Sequence, residues 1–341
     1  MSLTGRAIAT FEAAPLPDTI RRAAVWALVE GARRSLSQTP TDAEFAKRMG
    51  NFQIAEQADA ANQQHYELPP TFFEPILGPR LKYSSCLYPT GRETLAQAEV
   101  LALRQTCERA DLHDSQDILE LGCGWGSLSL WMAQTYPAAR IVSVSNSAPQ
   151  RRYIEARAGV LGLTNLKVIT ADMNSFQIDG RFDRVVSVEM FEHMTNWRAL
   201  LGRVRNWLTP DGKLFLHVFS HTASAYHFDT ENPDDWVARY FFAGGIMPSH
   251  DLVRQFADLF TVEADWRWTG DHYARTARHW LTNFDNNQGQ LLKVLTEVYG
   301  ADARLWRRRW RLFFLATAGL FGHDGGLQWG VSHYRLRPTA Q

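Results

Sequence analysis

The segment Asp117-Ile-Leu-Glu-Leu-Gly-Cys-Gly-Trp-Gly-Ser127 gives the strongest indication of the fold of this chain. A short apolar run leads into three glycines at alternate positions, and a helical pattern begins at Ser127. Gly122 permits a tight turn after the strand, while Gly124 and Gly126 let the backbone approach a ligand closely. A strand, a glycine turn and a helix in this order predict a ligand site at the carboxyl end of a parallel strand.

Short apolar runs alternate with helical stretches on the carboxyl side of this motif. Alternation of this kind predicts an α/β fold, with a parallel sheet covered by helices on both faces. Two later runs, Phe260–Trp268 and Leu327–Leu336, would complete a seven-stranded, doubly wound sheet. The other predicted strands are Ile118–Leu121, Arg140–Val144, Leu166–Thr170, Asp183–Val188 and Lys213–Phe219, and the helices between them are Ser127–Thr135, Gln150–Leu161 and Trp197–Leu208.

The chain is predicted to have three regions. Residues 1–113 form an N-terminal helical extension and a lid, residues 114–220 form the ligand-binding core, and residues 221–341 form a helical cap with the last strands. Amphipathic periodicity predicts helices in the first region at Arg21–Ser37, Thr41–Arg48 and Thr94–Ala110, with a cap at Thr39 or Thr41.

Composition and charge exclude several classes of protein. Lys plus Arg and Asp plus Glu both number 36, and a zero net charge argues against a dedicated nucleic-acid binder. The cysteines, Cys86, Cys107 and Cys123, have neither metal-type nor disulfide-type spacing, so we expect no metal and a reducing compartment. No signal peptide and no run of about 18 apolar residues are apparent, and we therefore expect a cytoplasmic protein.

The glycine spacing and the residue before it indicate the cofactor. The fingerprint of dinucleotide sites is G-x-G-x-x-G, whereas this motif is G-x-G-x-G. Glu120 precedes the first glycine, and a carboxylate is unfavourable beside phosphates but suits a ligand that carries an ammonium or sulfonium group. We therefore predict S-adenosylmethionine (SAM) as the cofactor.

Polar residues also follow the next predicted strands, at the edge where parallel strands end together. Ser143–Ser147 and Gln150 could bind the ribose and amino-acid tail of SAM, and the alternative for Ser147 is a helix cap. Asp172 could accept a hydrogen bond from the adenine amine while Met173 stacks on the ring. Glu189–His193 brings further polar groups to the same edge.

Four segments together resemble the cyclopropane-fatty-acid synthase superfamily of SAM enzymes. Within it, residues 60–336 look most like the coclaurine N-methyltransferase group. The resemblance implies a Rossmann-like class I SAM-methyltransferase fold and a methyltransferase activity. The four segments are Tyr83–Cys86, Glu120–Gly126, Ser145–Gln150 and Val188–Met194.

The resemblance also implies roles for individual residues. Glu192 and His193 would face the methyl acceptor as catalytic residues, and the remaining matched positions would surround SAM. With the residues argued above, the predicted cofactor set is Tyr83, Ser84, Glu120, Gly122, Gly124, Trp125, Asn146, Gln150, Asp172, Met173 and Glu189.

One position departs from the cyclopropane synthases. Those enzymes carry Cys in the third position of Tyr-Ser-Cys, where it helps to hold a bicarbonate, and this chain has Ser85 there. The other bicarbonate contacts match Glu192 and His217, so the resemblance implies an altered anion site and leaves bicarbonate binding open. Ser85 by itself excludes neither a lipid nor an amine as the acceptor.

A small amine is the acceptor that the resemblance favours. An amine must lose its proton before it attacks the SAM methyl group, and Glu192 with His193 suits that task. Aromatic walls would favour a cationic product, although so many aromatic residues could also form an ordinary core. The predicted acceptor pocket comprises Phe191, His217, Trp236, Tyr240, Phe241, Tyr273, Trp329 and Tyr334.

Two alternatives stay open. In the first, the acceptor is an unsaturated lipid chain, and the basic aromatic segment Arg304–Phe314 either docks peripherally on an anionic membrane or forms a cap helix. In the second, the protein binds SAM without turnover and uses its cap to bind a partner. The sequence also leaves open whether the protein forms a homodimer.

Overall fold

The strands form one large sheet and one small sheet in the computed structural model of the protein, which describes residues 12, 14, 16–36, 39–56, 68–230, 232 and 235–340. The end of the predicted helix Arg21–Ser37 thus lies partly outside the described residues. The strands are β1 (Asp117–Leu121), β2 (Arg140–Ser145), β3 (Leu166–Thr170), β4 (Phe182–Val188), β5 (Leu208–His221), β6 (Tyr226–His227), β7 (Ile246–Met247), β8 (Phe260–Thr269) and β9 (Trp329–Pro338).

The large sheet has seven strands in the order β3-β2-β1-β4-β5-β9-β8. Strands β1 to β5 run parallel, and β9 is antiparallel to both β5 and β8. The prediction of a seven-stranded, doubly wound sheet is confirmed. The strand order reverses between β1 and β4, which is the point where open α/β sheets bind ligands.

Helices flank the sheet and form the cap. Thr41 and Thr94 each begin a helix with a reciprocal capping box, to Glu44 and Gln97 respectively. Ser147 accepts a hydrogen bond from the Gln150 backbone, so the following helix begins at Ala148. The helices are α1 (Asp18–Ser35), α2 (Asp42–Met49), α3 (Pro70–Phe73), α4 (Leu95–Arg109), α5 (Ser127–Thr135), α6 (Ala148–Val160), α7 (Trp197–Trp207), α8 (Trp236–Tyr240), α9 (Gly270–Asn286), α10 (Gln288–Tyr299) and α11 (Ala303–Phe321).

Two large hydrophobic clusters hold these layers together. One lies between the sheet and the cap helices α9 to α11, with Trp280 and Trp310 fully buried in it. The other lies on the opposite face, where Trp197 of α7 packs against the sheet. The cap helices therefore cover one face of the sheet and α7 covers the other.

The basic helix α11 packs as part of the cap. Arg309 pairs with Glu12 at 2.5 Å and stacks over the ring of Tyr240, with 3.8 Å from Cζ to the ring centroid. Arg311 pairs with Asp18 of α1 at 2.7 Å and with Asp285 of α9 at 2.8 Å. These contacts favour the cap-helix interpretation of Arg304–Phe314. Within the described part of the chain, no helix combines the length and apolarity needed to cross a membrane.

Candidate active site

A cavity of about 1220 Å³, part of it open to solvent, lies at the carboxyl ends of β1, β2 and β4. It contains the switch point between β1 and β4 that the strand order defines. Every residue of the predicted cofactor set lines this cavity, and His193 lines it as well. The structure therefore brings together residues that lie as far apart in sequence as Tyr83 and Glu189.

The glycine turn leaves open space where the cofactor is expected. Gly122 and Gly124 have φ angles of 80° and 52°, in the left-handed region that favours glycine. A Cβ on Gly122 would lie 2.5 Å from Cβ of Met190, whereas a Cβ on Gly124 would meet nothing within 4 Å. Gly122 is thus needed for packing, and Gly124 keeps the backbone open toward the cavity.

Glu120 is a buried carboxyl group at the floor of the cavity. Its Oε2 accepts hydrogen bonds from the hydroxyl groups of Ser129 and Ser143. Burial raises the pKa of Glu120 to about 7, against the opposing effect of the two hydroxyls. A cationic ligand group beside it would stabilise the charged form.

Gln150 presents an amide to the cavity. The Ser145 hydroxyl donates to its Oε1 at 2.7 Å, which orients the side chain amide. Its buried Nε2 has no hydrogen-bond partner among the residues that the structure describes. Because a buried donor left unpaired is costly, this nitrogen is suited to a ligand oxygen.

The end of the cavity where adenine is predicted to bind is hydrogen-bonded to the N-terminal region. The Asn174 backbone N–H donates to Oδ1 of Asp172 at 2.8 Å. The Asn174 side chain accepts from the backbone N–H of Ala55 at 3.0 Å and donates to its carbonyl at 2.8 Å. Ala55 itself lines the cavity, so part of the N-terminal extension borders the site.

Glu189 is held in a strained backbone conformation with a φ of 49°. Its Oε1 accepts from the backbone N–H of Ser85 at 2.8 Å and from Nε2 of His217 at 3.1 Å, and its Oε2 accepts from the hydroxyl of Tyr273 at 2.7 Å. Burial raises the pKa of Glu189, and the positive charge of Lys82 opposes that shift.

This arrangement differs from the expected roles of two residues. His217 and Tyr273 bind the carboxylate of Glu189 and do not line the cavity. His217, which the resemblance assigned to a bicarbonate, therefore already forms a hydrogen bond with a carboxyl group of the protein itself. The sequence predicted Glu189 at this edge of the sheet but gave no indication of its three hydrogen-bond partners.

The two predicted catalytic residues have different surroundings. His193 lines the cavity and stacks on Phe242 with 4.4 Å between the ring centroids, and burial lowers its pKa to about 4. Glu192 is fully buried, and its Oε1 accepts from the Phe219 backbone N–H at 2.6 Å. Its Oε2 has no hydrogen-bond partner among the described residues. Burial and the neighbouring Glu189 raise the pKa of Glu192 well above its ordinary value.

The predicted aromatic pocket is divided between the two faces of the sheet. Phe191 and Tyr334 belong to the hydrophobic cluster on the face opposite the cap, so the structure does not support a pocket role for them. Phe191 packs on Trp197 at 5.5 Å, and the hydroxyl of Tyr334 donates to the His250 carbonyl at 2.6 Å. The other predicted aromatic residues lie in or against the cap cluster, outside the cavity lining: Trp236, Tyr240, Phe241, Tyr273 and Trp329.

Sequence reasoning missed Lys82, which lines the cavity although only 3% of it is exposed. Its ammonium group donates to the Ser84 hydroxyl at 2.5 Å and to the Ser85 carbonyl at 2.6 Å. These bonds hold the loop that carries Tyr83 over the cavity. Lysine is ordinarily exposed, and only its position directly before Tyr83 could have drawn attention to it.

Comparisons with known proteins establish the family. Residues 53–325 match the family described as mycolic acid cyclopropane synthetase. The chain belongs to this family. Among its relatives, (S)-coclaurine N-methyltransferase of Thalictrum flavum subsp. glaucum is 34% identical over 285 residues, which cover 82% of this chain and 79% of the relative. The cyclopropane-fatty-acyl-phospholipid synthase of Escherichia coli (strain K12) is 30% identical over 281 residues, which cover 78% of this chain and 70% of the relative.

A solved structure supports the assignment as a methyltransferase. A coclaurine N-methyltransferase bound to N-methylheliamine and S-adenosylhomocysteine (SAH) superimposes with a TM-score of 0.93 at 30% identity, covering 98% of this chain and 100% of that one. The predictions of a class I fold, of SAM as the cofactor and of a methyltransferase are confirmed. The protein is a SAM-dependent methyltransferase, and the related enzymes act on small amines or on lipids.

Proposed function

We propose that this methyltransferase transfers the SAM methyl group to the nitrogen of a small amine. One observation carries the proposal: the carboxyl group of Glu189 lines the cavity beside the imidazole of His193, and the carboxyl group of Glu192 is fully buried close to Glu189, outside the cavity lining. Buried acidic groups favour a ligand that brings positive charge or N–H donors. An alkene brings neither.

The surroundings of Glu189 suit an ammonium group. The carboxylate accepts hydrogen bonds from Ser85, His217 and Tyr273, so its position is fixed before a ligand arrives. A fixed negative charge in a water-poor site stabilises a cation without reorganisation. The charged form of an amine would therefore enter beside Glu189, and the methylated ammonium product would be stabilised by the same group.

We assign proton removal from the amine to Glu192 and His193. An alkylamine titrates near a pKa of about 10.4 in water, so most of it is protonated at neutral pH. Glu192, whose pKa is raised well above its ordinary value, becomes an effective base when it is ionised, and its buried Oε2 has no hydrogen-bond partner among the described residues. His193 is neutral because burial lowers its pKa to about 4, and it can accept a hydrogen bond from the same amine.

The chemical step is an in-line displacement. The nitrogen lone pair forms a bond to the methyl carbon, the carbon–sulfur bond breaks, and its electron pair stays on sulfur to give SAH. Much of the acceleration comes from holding the nitrogen at roughly 3–3.5 Å from the methyl carbon, on the side opposite the sulfur. Tyr83 and Trp125, which line the cavity, would stabilise the developing ammonium through their ring faces.

A lipid acceptor is the competing proposal, because the Escherichia coli relative is a cyclopropane-fatty-acyl-phospholipid synthase. A labelled-methyl assay distinguishes the two. SAM that carries a labelled methyl group is incubated with the protein and, in separate arms, with benzylisoquinoline-type amines, simple alkylamines and vesicles of unsaturated phospholipid. We expect label in an amine arm, and label in the phospholipid arm alone would overturn the proposal.

A further inference from the structure

Four polar side chains form a continuous hydrogen-bonded chain that leads away from the cavity. The antiparallel pairing of β5 and β9 sets His217 directly opposite His333. Nε2 of His333 lies 2.9 Å from Nδ1 of His217, and Nε2 of His217 lies 3.1 Å from Oε1 of Glu189. Arg109, the last residue of α4, completes the chain with Nη1 at 2.7 Å from Nδ1 of His333.

The chemistry of arginine fixes the direction of every bond in this chain. A guanidinium group only donates, so Nδ1 of His333 must accept and its proton must be on Nε2. That Nε2–H donates to Nδ1 of His217, and the proton of His217 must therefore be on its own Nε2. Burial lowers the pKa of both histidines well below the ordinary value, which keeps both rings neutral. His217 is consequently a donor to Glu189.

Aromatic rings shield the chain from water. Trp268 is only 4% exposed, and its ring centroid lies 5.4 Å from that of His217 and 4.4 Å from that of His333. The guanidinium of Arg109 lies over Trp266, 5.0 Å from the ring centroid. Burial lowers the pKa of Arg109 to about 10, so the group keeps its charge at neutral pH. Hydrogen bonds in such a dry environment are strong and reinforce one another.

We propose that Arg109 and His333 are positioning residues, which fix His217 as a hydrogen-bond donor and thereby hold Glu189 at the cavity wall as a carboxylate. The inference rests on the role of Glu189 in the proposed amine methylation. The chain is no exit route for a proton, because Arg109 stays charged and every hydrogen already points toward Glu189. Arg109 thus acts on the site through two histidines and touches neither cofactor nor acceptor.

Other charged and titratable groups also face Glu189. Lys82 approaches from the loop before α4 and Tyr273 from α9, while Glu192 and His193 follow Glu189 in its own segment. These groups remain when Arg109 is replaced. Loss of the arginine would free His333 to adopt the other tautomer, and His217 could then no longer donate to Glu189. The carboxylate would become easier to protonate.

The first test needs no acceptor and is therefore independent of the proposed function. Two-bond ¹⁵N–¹H spectra of histidine side chains in the wild-type protein report which ring nitrogen carries the proton. We expect His217 and His333 to be neutral with the proton on Nε2. A proton on Nδ1 of either ring would overturn the inference, even if amine methylation is established.

The second test uses Arg109→Gln and Arg109→Lys, with Arg104→Gln as the control. Arg104 lies exposed on the same helix, so its replacement removes one positive charge without altering the hydrogen bonds from Arg109 to Glu189. We expect Arg109→Gln to lower kcat at least about tenfold with little change in SAM affinity, as for other losses of a tautomer-fixing partner. The acidic limb of its pH–rate profile should move upward by about one pH unit. Arg109→Lys should recover part of both effects.

A wild-type pH profile and kcat for Arg109→Gln would overturn the inference, as would equal losses in Arg104→Gln. If Arg109→Gln does not fold, the histidine tautomers in the wild type and the pH profile of Arg109→Lys decide the question. A wild-type protein that methylates lipid instead of amine contradicts the proposed function. The histidine tautomers are measured without an acceptor, so that result tests the positioning roles of Arg109 and His333 independently.

Discussion

The hydroxyl group of Ser143 donates to Oε2 of Glu120 at 2.7 Å, and the two residues lie directly opposite each other in the pairing of β1 with β2. The bond holds the Glu120 carboxyl group at the floor of the cofactor cavity, where burial raises its pKa to about 7. The hydroxyl of Ser129 donates to the same oxygen. The charge of this carboxyl group is thus finely balanced near neutral pH.

This balance makes SAM binding dependent on pH. A ligand cation beside Glu120 lowers the pKa of this carboxyl group, so SAM binds the ionised form. Below a pH of about 7, SAM binding therefore releases a proton from Glu120. We expect SAM affinity to rise with pH by up to about tenfold per unit below that value and then to level off. Titration calorimetry in buffers of different ionisation enthalpy measures both the SAM affinity and the number of protons released on binding. Glu120→Gln should bind weakly and without this dependence, and a flat wild-type profile would contradict the role of Glu120.

Gly124→Val should abolish SAM binding. The new side chain would enter the open space beside the turn, since nothing lies within 4 Å of a Cβ there. The φ of 52° also imposes a cost of roughly 1–2 kcal/mol on a residue with a side chain. Gly162→Val is a matched control, because Gly162 has a φ of 67° and open surroundings but lies in the turn after α6, outside the cavity. Both variants should lose similar thermal stability while only Gly124→Val loses affinity, and wild-type affinity in Gly124→Val would refute the assignment.

Gln150→Met should weaken SAM binding while leaving the fold intact. The substitution removes the buried Nε2 that lacks a partner among the described residues, and with it a hydrogen bond to a ligand oxygen. Such a bond to a charged group contributes about 1.5–3 kcal/mol, so the Kd should rise by at least about tenfold. Equilibrium dialysis with labelled SAM gives the Kd, and an unchanged value would show that the amide does not contact the cofactor.

Glu192→Gln and His193→Ala should cut turnover and spare SAM affinity. Both replacements remove a proton acceptor near the amine, and general base catalysis typically contributes about 10²–10⁴-fold to the rate. The single-turnover rate at which methylated amine forms, measured together with the SAM Kd, separates a slower chemical step from weaker cofactor binding. A variant with weakened SAM binding and a normal chemical step would reject the assigned roles.

The cofactor half of the site could be predicted from the sequence because its signals are local. The glycine turn directly follows β1, the segment from Ser145 to Gln150 begins at the last residue of β2, and Asp172 lies two residues after β3. Parallel strands end at a common edge, so these residues are expected together. The two strands β6 and β7 are only two residues long each, and so short a run has no periodicity to detect.

The acceptor half could not be predicted in the same way. Along β9 the side chains alternate, so Trp329 and Val331 belong to the cap cluster while Tyr334 and Leu336 belong to the opposite cluster. The sequence gives this alternation but not which face the cap covers. The pairing of His217 with His333 depends on a strand register across more than a hundred residues. The domain limits, the cytoplasmic location and the homodimer stay predictions.

The most direct test is the identity of the methylated product. SAM with a ¹³C-labelled methyl group is incubated with the protein and a tetrahydroisoquinoline-type amine, and the product is examined by mass spectrometry and ¹³C–¹⁵N correlation. We expect one labelled methyl group on nitrogen for each SAH formed in a turnover. Label bonded only to carbon, or SAH released without a methylated amine, would contradict this expectation.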